Sequence, residues 1–292
     1  MNNNPSPLRY PGGKIKFYSI VKKILQLNGL LNSTYIEPFA GGAGLALQLL
    51  FSNDVKKIII NDLDLHIYAF WHSVLEQNDA FCDLVAKTPV TMEQWNIQKS
   101  IYNVCDKSNL LYLGFSTFFL NRTNVSGVLS GGVIGGRDQT GNYKIDARYN
   151  KEQLIKKIQK ISLFRDRILL FNDNCMNLFS RPEVRSTRKS FVNFDPPYVV
   201  KGSQLYKNSF SKEDHKSLGK LILTCSRKWI VTYDADPLIV EIYRKCHIGF
   251  WNVTYATSLK RNIQEYIIFK KGLKIPEGIS ILDHDKEVSL HE

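Results

Sequence analysis

A chain of 292 residues with 43% hydrophobic and 23% charged side chains can bury a large core, and no apolar run reaches the ~18 residues that a membrane span needs. The opening MNNNPSPLRYPGGK lacks the charged-then-apolar order of a secretory signal, so the cytoplasm is the expected compartment. Thirty-nine Lys and Arg against 27 Asp and Glu leave a net charge of +12, and a chain this basic is expected to attract a polyanion, nucleic acid above all.

The elements follow in chain order. Residues 34–37 (TYIE) read as a short strand, followed by a glycine-rich turn and a helix over 45–51. Residues 57–61 (KIIIN) read as a buried strand that ends at Asp62. The alternation then stops, with helices expected over 66–77, 92–105 and 110–121. A stretch over 123–149, rich in Gly, Arg, Asn and Tyr, reads as an irregular or hairpin excursion, a kind of segment that is more often functional than idle. An amphipathic helix over 151–161 puts Leu154, Ile155, Ile158 and Ile161 on one face, with lysines opposite. Short apolar runs at 167–171, 190–194, 228–233 and 265–269 complete a strand–helix alternation. That pattern implies a mostly parallel sheet covered by helices on both faces. In such sheets ligands bind outside the carboxyl ends of the strands.

Metal chemistry is not indicated. Cys82, Cys105, Cys175, Cys225 and Cys246 are scattered without a C-x-x-C pair, and the six histidines form no ligand motif. Three other motifs stand at strand ends. YIEPFAGGAG places Gly41, Gly42 and Gly44 just before a helix, where a tight turn lets backbone approach a ligand. Glu37 in the same turn suggests a cationic, non-phosphorylated ligand. IIINDLD puts Asp62 about 20 residues past the glycines, a position suited to ribose hydroxyls; capping of the next helix is the alternative. DPPY ends a further strand with Asp195, and the rings of Pro196 and Pro197 hold the backbone still. One carboxylate, one fixed carbonyl and the flat ring of Tyr198 suit a planar heteroaromatic amine, although a lone D-P-P-Y is also compatible with an ordinary turn.

In the order YPGGK, E-P-F-x-G-G-x-G, N-D-x-D, D-P-P-Y, the chain resembles the Dam-type (alpha-group) DNA adenine-N6 methyltransferases, from about Leu8 to Phe269. The resemblance implies a Rossmann-like α/β fold that binds S-adenosylmethionine, its doubly wound, mostly parallel sheet having an antiparallel edge. Residues 1–64 and 151–292 would form the catalytic domain, and 65–150 an inserted, mainly helical target-recognition subdomain. It further implies that Tyr10, Lys14, Pro38, Phe39, Ala40, Gly41, Gly42, Asp62 and Asp195 hold the cofactor. Asp195, Pro196 and Tyr198 would hold a flipped adenine for direct displacement. Double-stranded DNA is the expected partner, with contacts from Asn121, Arg122, Asn124, Arg137, Lys144, Arg148 and Lys201. Arg122 or Arg137 would read a base, Lys144 and Arg148 would meet the backbone, and a structural role is the alternative for Arg122. A cognate restriction endonuclease acting on the same site is a further expected partner; the oligomeric state is left open. The same motif would serve cytosine N4 or an RNA adenine, or a silent DNA-binding relative. The loop NRTNVSGVLSGGVIGGRDQTGNYKIDARY departs from the recognition hairpin of GATC-methylating members, so that site is not carried over.

Overall fold

The computed structural model describes residues 4–10, 12–199, 210–255 and 261–282, the side chains of 251–255 and 261–264 excepted. Five strands run parallel: β1 (Thr34–Glu37), β2 (Lys57–Asn61), β3 (Ile168–Phe171), β4 (Ser190–Phe194) and β5 (Lys228–Asp234). β6 (His247–Tyr255), β7 (Arg261–Phe269) and β8 (Ser280–Ile281) extend the sheet to the order β3-β2-β1-β4-β5-β7-β6-β8. β7 lies antiparallel between β5 and β6, which gives the antiparallel edge that the resemblance implies. Strand order reverses between β1 and β4, the kind of crevice in which such sheets bind ligands.

Alternation along each strand divides the core in two. Tyr35, Ile58, Ile60 and Phe191 face one side, where they pack with α1 (Tyr18–Leu27), α2 (Gly44–Phe51) and α3 (Leu65–Glu76). α4 (Asn78–Lys87), α5 (Met92–Val104), α6 (Leu110–Thr123) and α7 (Lys151–Ser162) extend the same layer. Ile36, Ile59, Val192 and Phe194 face the other side, against α8 (Cys175–Leu178), α9 (Pro182–Arg185), α10 (Lys212–Thr224) and α11 (Pro237–Tyr243). Both faces are covered, so the central strands are apolar almost throughout, as KIIIN and SFVNF show.

The local signals for the helices are ordinary ones. Asp64 caps α3 by accepting from His66 N at 2.9 Å, Thr91 caps α5, and Asn150 caps α7. Ser211 and Asp214 form a reciprocal capping box on α10. α6 is buried nearly all round, with Phe115, Phe118 and Phe119 meeting Phe70, Phe81 and Tyr149. Residues 65–150 thus contribute helices to the sheet's own core, and their irregular part begins at the Asn124–Val133 bridge. Four elements go beyond the expected set: α1, α4, which follows α3 almost without a break, and the strands β6 and β8.

The α3–α6 contact is close enough to test. A Cβ on Gly114 would stand 2.5 Å from the Ala69 carbonyl oxygen and 2.7 Å from Ser73 Oγ, and the first of these is backbone that cannot swing away. Gly114→Ala should therefore lower unfolding free energy in urea titrations by about 1–3 kcal/mol, despite the better helix propensity of Ala. Equal or greater stability would mean that the two helices are less tightly apposed than the structure has them.

Candidate active site

Carboxylates gather at the carboxyl edge of the sheet because four parallel strands end there. Glu37 closes β1, Asp62 follows β2, Asp195 follows β4, and Asp234 closes β5. The glycine turn after β1 is bound to the end of β2. Gly41 N donates to Asp62 Oδ2 at 2.8 Å, and Ala40 N donates to Asn61 O at 2.9 Å. Gly41 has φ +45°, and a Cβ there would lie 2.5 Å from the Tyr10 ring, so both conformation and close approach demand glycine. Pro38 and Phe39 complete the turn: the Pro38 carbonyl accepts from Asn61 Nδ2 at 2.9 Å, and Phe39 meets Phe210 edge-on.

Asp62 Oδ1 accepts from Asp64 N at 3.0 Å, so a backbone N–H aims each carboxylate oxygen. Each oxygen keeps a further lone pair for a ligand hydroxyl. The cap of α3 falls to Asp64, which disposes of the capping alternative for Asp62. Burial pushes the Asp62 carboxyl up to about 7, against the N–H groups of Asp64 and Gly41 that favour its charge.

The second half of the site is a buried knot around Lys14, which is only 7% exposed. Its Nζ donates to Gly12 O at 2.9 Å and to Tyr198 Oη at 2.7 Å, and stands 3.0 Å from Asp195 Oδ1. Glu265 Oε2 lies 3.7 Å from the same nitrogen and accepts from Tyr198 Oη at 2.8 Å. From β5, Thr232 Oγ1 donates to Asp195 Oδ1 at 2.7 Å. Burial disfavours the Lys14 charge, yet Asp195 and Glu265 outweigh it and raise its pKa, so the ammonium persists. Burial raises the Asp195 pKa, with Lys14 and Thr232 opposing. Asp195 Oδ1 is fully engaged, whereas Oδ2 accepts no hydrogen bond among the described residues.

The structure brings Tyr10, Lys14, Pro38 to Gly42, Asp62, Asp195 and Tyr198 to this one edge, with Lys14 on the DPPY side. Glu265 and Thr232 were not anticipated. Their only sequence signal is a polar residue inside the strand-like runs QEYIIF and WIVTYD.

The expected DNA contacts divide. Asn121 is a correction: it is 1% exposed and brackets the Arg9 backbone, accepting from Arg9 N at 2.7 Å and donating to Arg9 O at 2.9 Å. Asn124 is another. Fully buried, it accepts from Trp95 Nε1 and donates to the Val128 and Leu129 carbonyls, so its amide is spent inside the protein. Arg122 binds the Arg148 carbonyl through Nε at 2.7 Å and is paired with no carboxylate among the described residues. Burial and the charges of Arg9 and Arg148 lower it to about 10. Arg137, Lys144 and Arg148 are exposed, and Lys201 lies outside the described residues.

A model of the D12 class N6 adenine-specific DNA methyltransferase family matches residues 10–257. The Type II methyltransferase M.CviBI of Paramecium bursaria Chlorella virus NC1A is 26% identical over 215 residues, 72% of this chain and 76% of that protein. The Type II methyltransferase M.MjaIII of Methanocaldococcus jannaschii is 23% identical over 290 residues, 93% of this chain and 95% of that protein. Among solved structures, M. capricolum TrmK in complex with S-adenosyl-homocysteine covers 92% of this chain and 73% of that one, at 10% identity and a TM-score of 0.35. An overlap that loose carries no argument, and the fold is read from the strand order.

The buried acid of β1 gives this site a pH signature. Burial pushes the Glu37 carboxyl up to about 8, against hydrogen bonds that include one from Tyr35 Oη at 3.1 Å. Between its ordinary value of 4.5 and about 8 the unfolded chain surrenders this proton while the folded chain keeps it. Glu37 therefore makes folding less favourable as pH rises through that window, by up to about 5 kcal/mol in all. Glu37→Gln keeps the acceptor for Tyr35 and removes the proton. In urea titrations without added ligand it should gain stability over the parent near pH 8 and little near pH 5. A difference independent of pH would show that Glu37 is ionised in the folded protein.

Proposed function

From a chain that belongs to the D12 class N6 adenine-specific DNA methyltransferases, we infer that the glycine turn and Asp62 hold the methyl donor, and that Asp195, Pro196 and Tyr198 hold the target base. The chain is an enzyme that methylates the N6 amino group of adenine in double-stranded DNA, with S-adenosylmethionine as methyl donor. Family membership selects DNA adenine over cytosine N4, RNA adenine or a silent relative. When bound, the donor would supply a sulfonium methyl: a C–N bond to the amino nitrogen would form as the C–S bond breaks with its electron pair on sulfur, and one amino proton would pass to solvent.

The residues present fit this group. Asp62, aimed by two backbone N–H groups, offers acceptors to ribose hydroxyls, and Tyr10 lies over the glycine turn. Acids outnumber the single buried lysine around the cleft, which suits a cationic donor. The observation that carries the reading is the clamp on Asp195. Thr232 and Lys14 hold Oδ1, which leaves Oδ2 to accept from the adenine amino group. The Pro196 carbonyl is the proposed second acceptor. Together they favour the pyramidal nitrogen that develops as the new bond forms. Tyr198, anchored through its hydroxyl, offers its ring for stacking, worth ~1–3 kcal/mol per base. That contact offsets part of the cost of turning an adenine out of the duplex, a few kcal/mol.

On the DNA side, residues 65–150 are proposed as the target-recognition insertion, with the contacts carried by 122–148. Arg122 and Arg148, adjoining Arg9 without a carboxylate between them, suit phosphate; the exposed Arg137 suits a base edge. Lys144 is kept as a backbone contact and Lys201 as a DNA contact. Because both relatives are Type II methyltransferases, a cognate endonuclease acting on the same site is proposed as a partner. Among the described residues no helix is long and apolar enough to cross a membrane, which accords with the proposed cytoplasmic location.

Two experiments bear on these assignments. Asp195→Ala should lose nearly all methyl transfer while staying folded, and Asp62→Ala should bind S-adenosylmethionine at least tenfold more weakly by calorimetry, about 1.4 kcal/mol. Near-normal turnover in the first variant, or unchanged affinity in the second, removes that residue from the site. For DNA, Arg148→Ala should weaken binding to all sequences alike and lower its salt dependence. Arg137→Ala should cost ~1–3 kcal/mol on the proper site and relax the preference there. Methylation of a randomised duplex library separates the two, and an unaltered site preference in Arg137→Ala excludes it as a reader.

A further inference from the structure

The site poses an electrostatic problem that Asp195 alone does not solve. The proposed donor carries a sulfonium cation, and its methyl must come to rest beside Asp195. A buried ammonium already stands 3.0 Å from that carboxylate. Two cations sharing one carboxylate in a site with little water repel each other more strongly than they would in solvent. Something must neutralise Lys14.

Glu265 is placed to do so. It is fully buried, 3.7 Å from Lys14 Nζ, and bonded to the Tyr198 hydroxyl that also accepts from Lys14. It comes from β7, which runs against β5 with Glu265 opposite Asp234. The reversed strand thus brings its midpoint level with the edge where the parallel strands end. The other acids nearby are already engaged. Asp234 accepts from Val199 N at 3.0 Å, Asp62 serves the glycine turn, and Glu37, with a pKa of about 8, keeps its proton at neutral pH.

Resting on the donor site inferred above, we propose that Glu265 is a positioning residue that neutralises Lys14, leaves the charge of Asp195 to the sulfonium, and so sets the preference of the site for S-adenosylmethionine over its uncharged product, S-adenosylhomocysteine. With Glu265 the trio Lys14, Asp195 and Glu265 carries one net negative charge. Without Glu265 it carries none, and without Lys14 it carries two.

Calorimetric titration of the full chain with each of the two ligands tests the charge count directly. Glu265→Gln should weaken S-adenosylmethionine by about tenfold or more and change S-adenosylhomocysteine by less than about threefold, since only the former is a cation. Lys14→Met should shift the ratio of the two affinities the other way. The double variant Lys14→Met/Glu265→Gln restores one net negative charge and should return the ratio to within about threefold of the parent. If Glu265→Gln does not fold, Lys14→Met against the double variant still decides, because their ratios should differ in the same sense. Equal weakening of both ligands by Glu265→Gln would assign Glu265 a purely structural role and overturn the proposal. So would a loss of preference for the sulfonium in Lys14→Met. A parent chain that binds neither ligand would instead count against the donor site itself.

Discussion

One buried ammonium holds the functional edge of this protein together. Lys14 leaves the turn that precedes α1 and fastens it to the end of β4 through Asp195, and to β7 through Glu265. An ammonium has three hydrogens, and three oxygens stand within 3.0 Å of this one: Gly12 O, Tyr198 Oη and Asp195 Oδ1. That satisfaction makes burial tolerable, since an isolated buried charge costs far more than its neighbours return. The same bonds fix the rotamers of Asp195 and Tyr198. Asp195 is held from two sides, by Lys14 and by Thr232, and Tyr198 is held at its hydroxyl by Lys14 and Glu265. The structural tie and the proposed catalytic arrangement are one set of bonds.

Much of this was legible in the sequence, for a definite reason. Parallel strands covered on both faces are written as unbroken apolar runs, so β1 to β5 stand out, and so do the acids immediately after them. Asp62 and Asp195 were found because each follows such a run. β6 was not found, since HIGFWNVTY mixes glycine, polar and aromatic residues without a clear period. α4 was missed because NDAFCDLVAK begins one residue after α3 and looks like its continuation. Glu265 was hidden for a subtler reason. A search at the carboxyl ends of strands passes over it, because it lies mid-strand, and only the antiparallel register of β7 sets that position against Asp234 at the end of β5.

The polar cluster over 121–148 shows the opposite limit. Its Asn, Arg and Lys residues look alike as a composition, yet the structure sorts them into two groups. Asn121 and Asn124 sit at the end of the almost wholly buried α6, so their amides turn inward and hold the N-terminal segment and the loop that follows. Arg137, Lys144 and Arg148 lie beyond the helix, where no core competes for them. Burial of the backbone nearby decides which polar residue is framework and which is surface. Hydrophobic periodicity gives no warning of this where the helix has no polar face to set a period.

Charge is divided in the same way between surface and cleft. The chain as a whole carries +12, whereas the described edge of the sheet gathers Asp62, Asp195, Asp234 and Glu265, beside the protonated Glu37, around a single buried lysine. A basic exterior draws in the duplex by its phosphates over a range set by salt. The acidic cleft then discriminates among what arrives. As proposed, it would repel phosphate and accept a cation and the neutral, amine-bearing face of a base. On the proposed reading, a nucleotide can satisfy both regions only if its phosphate stays on the arginines while its base turns inward. If the proposed contacts hold, the charge pattern would itself favour extrusion of the base, before any stacking on Tyr198.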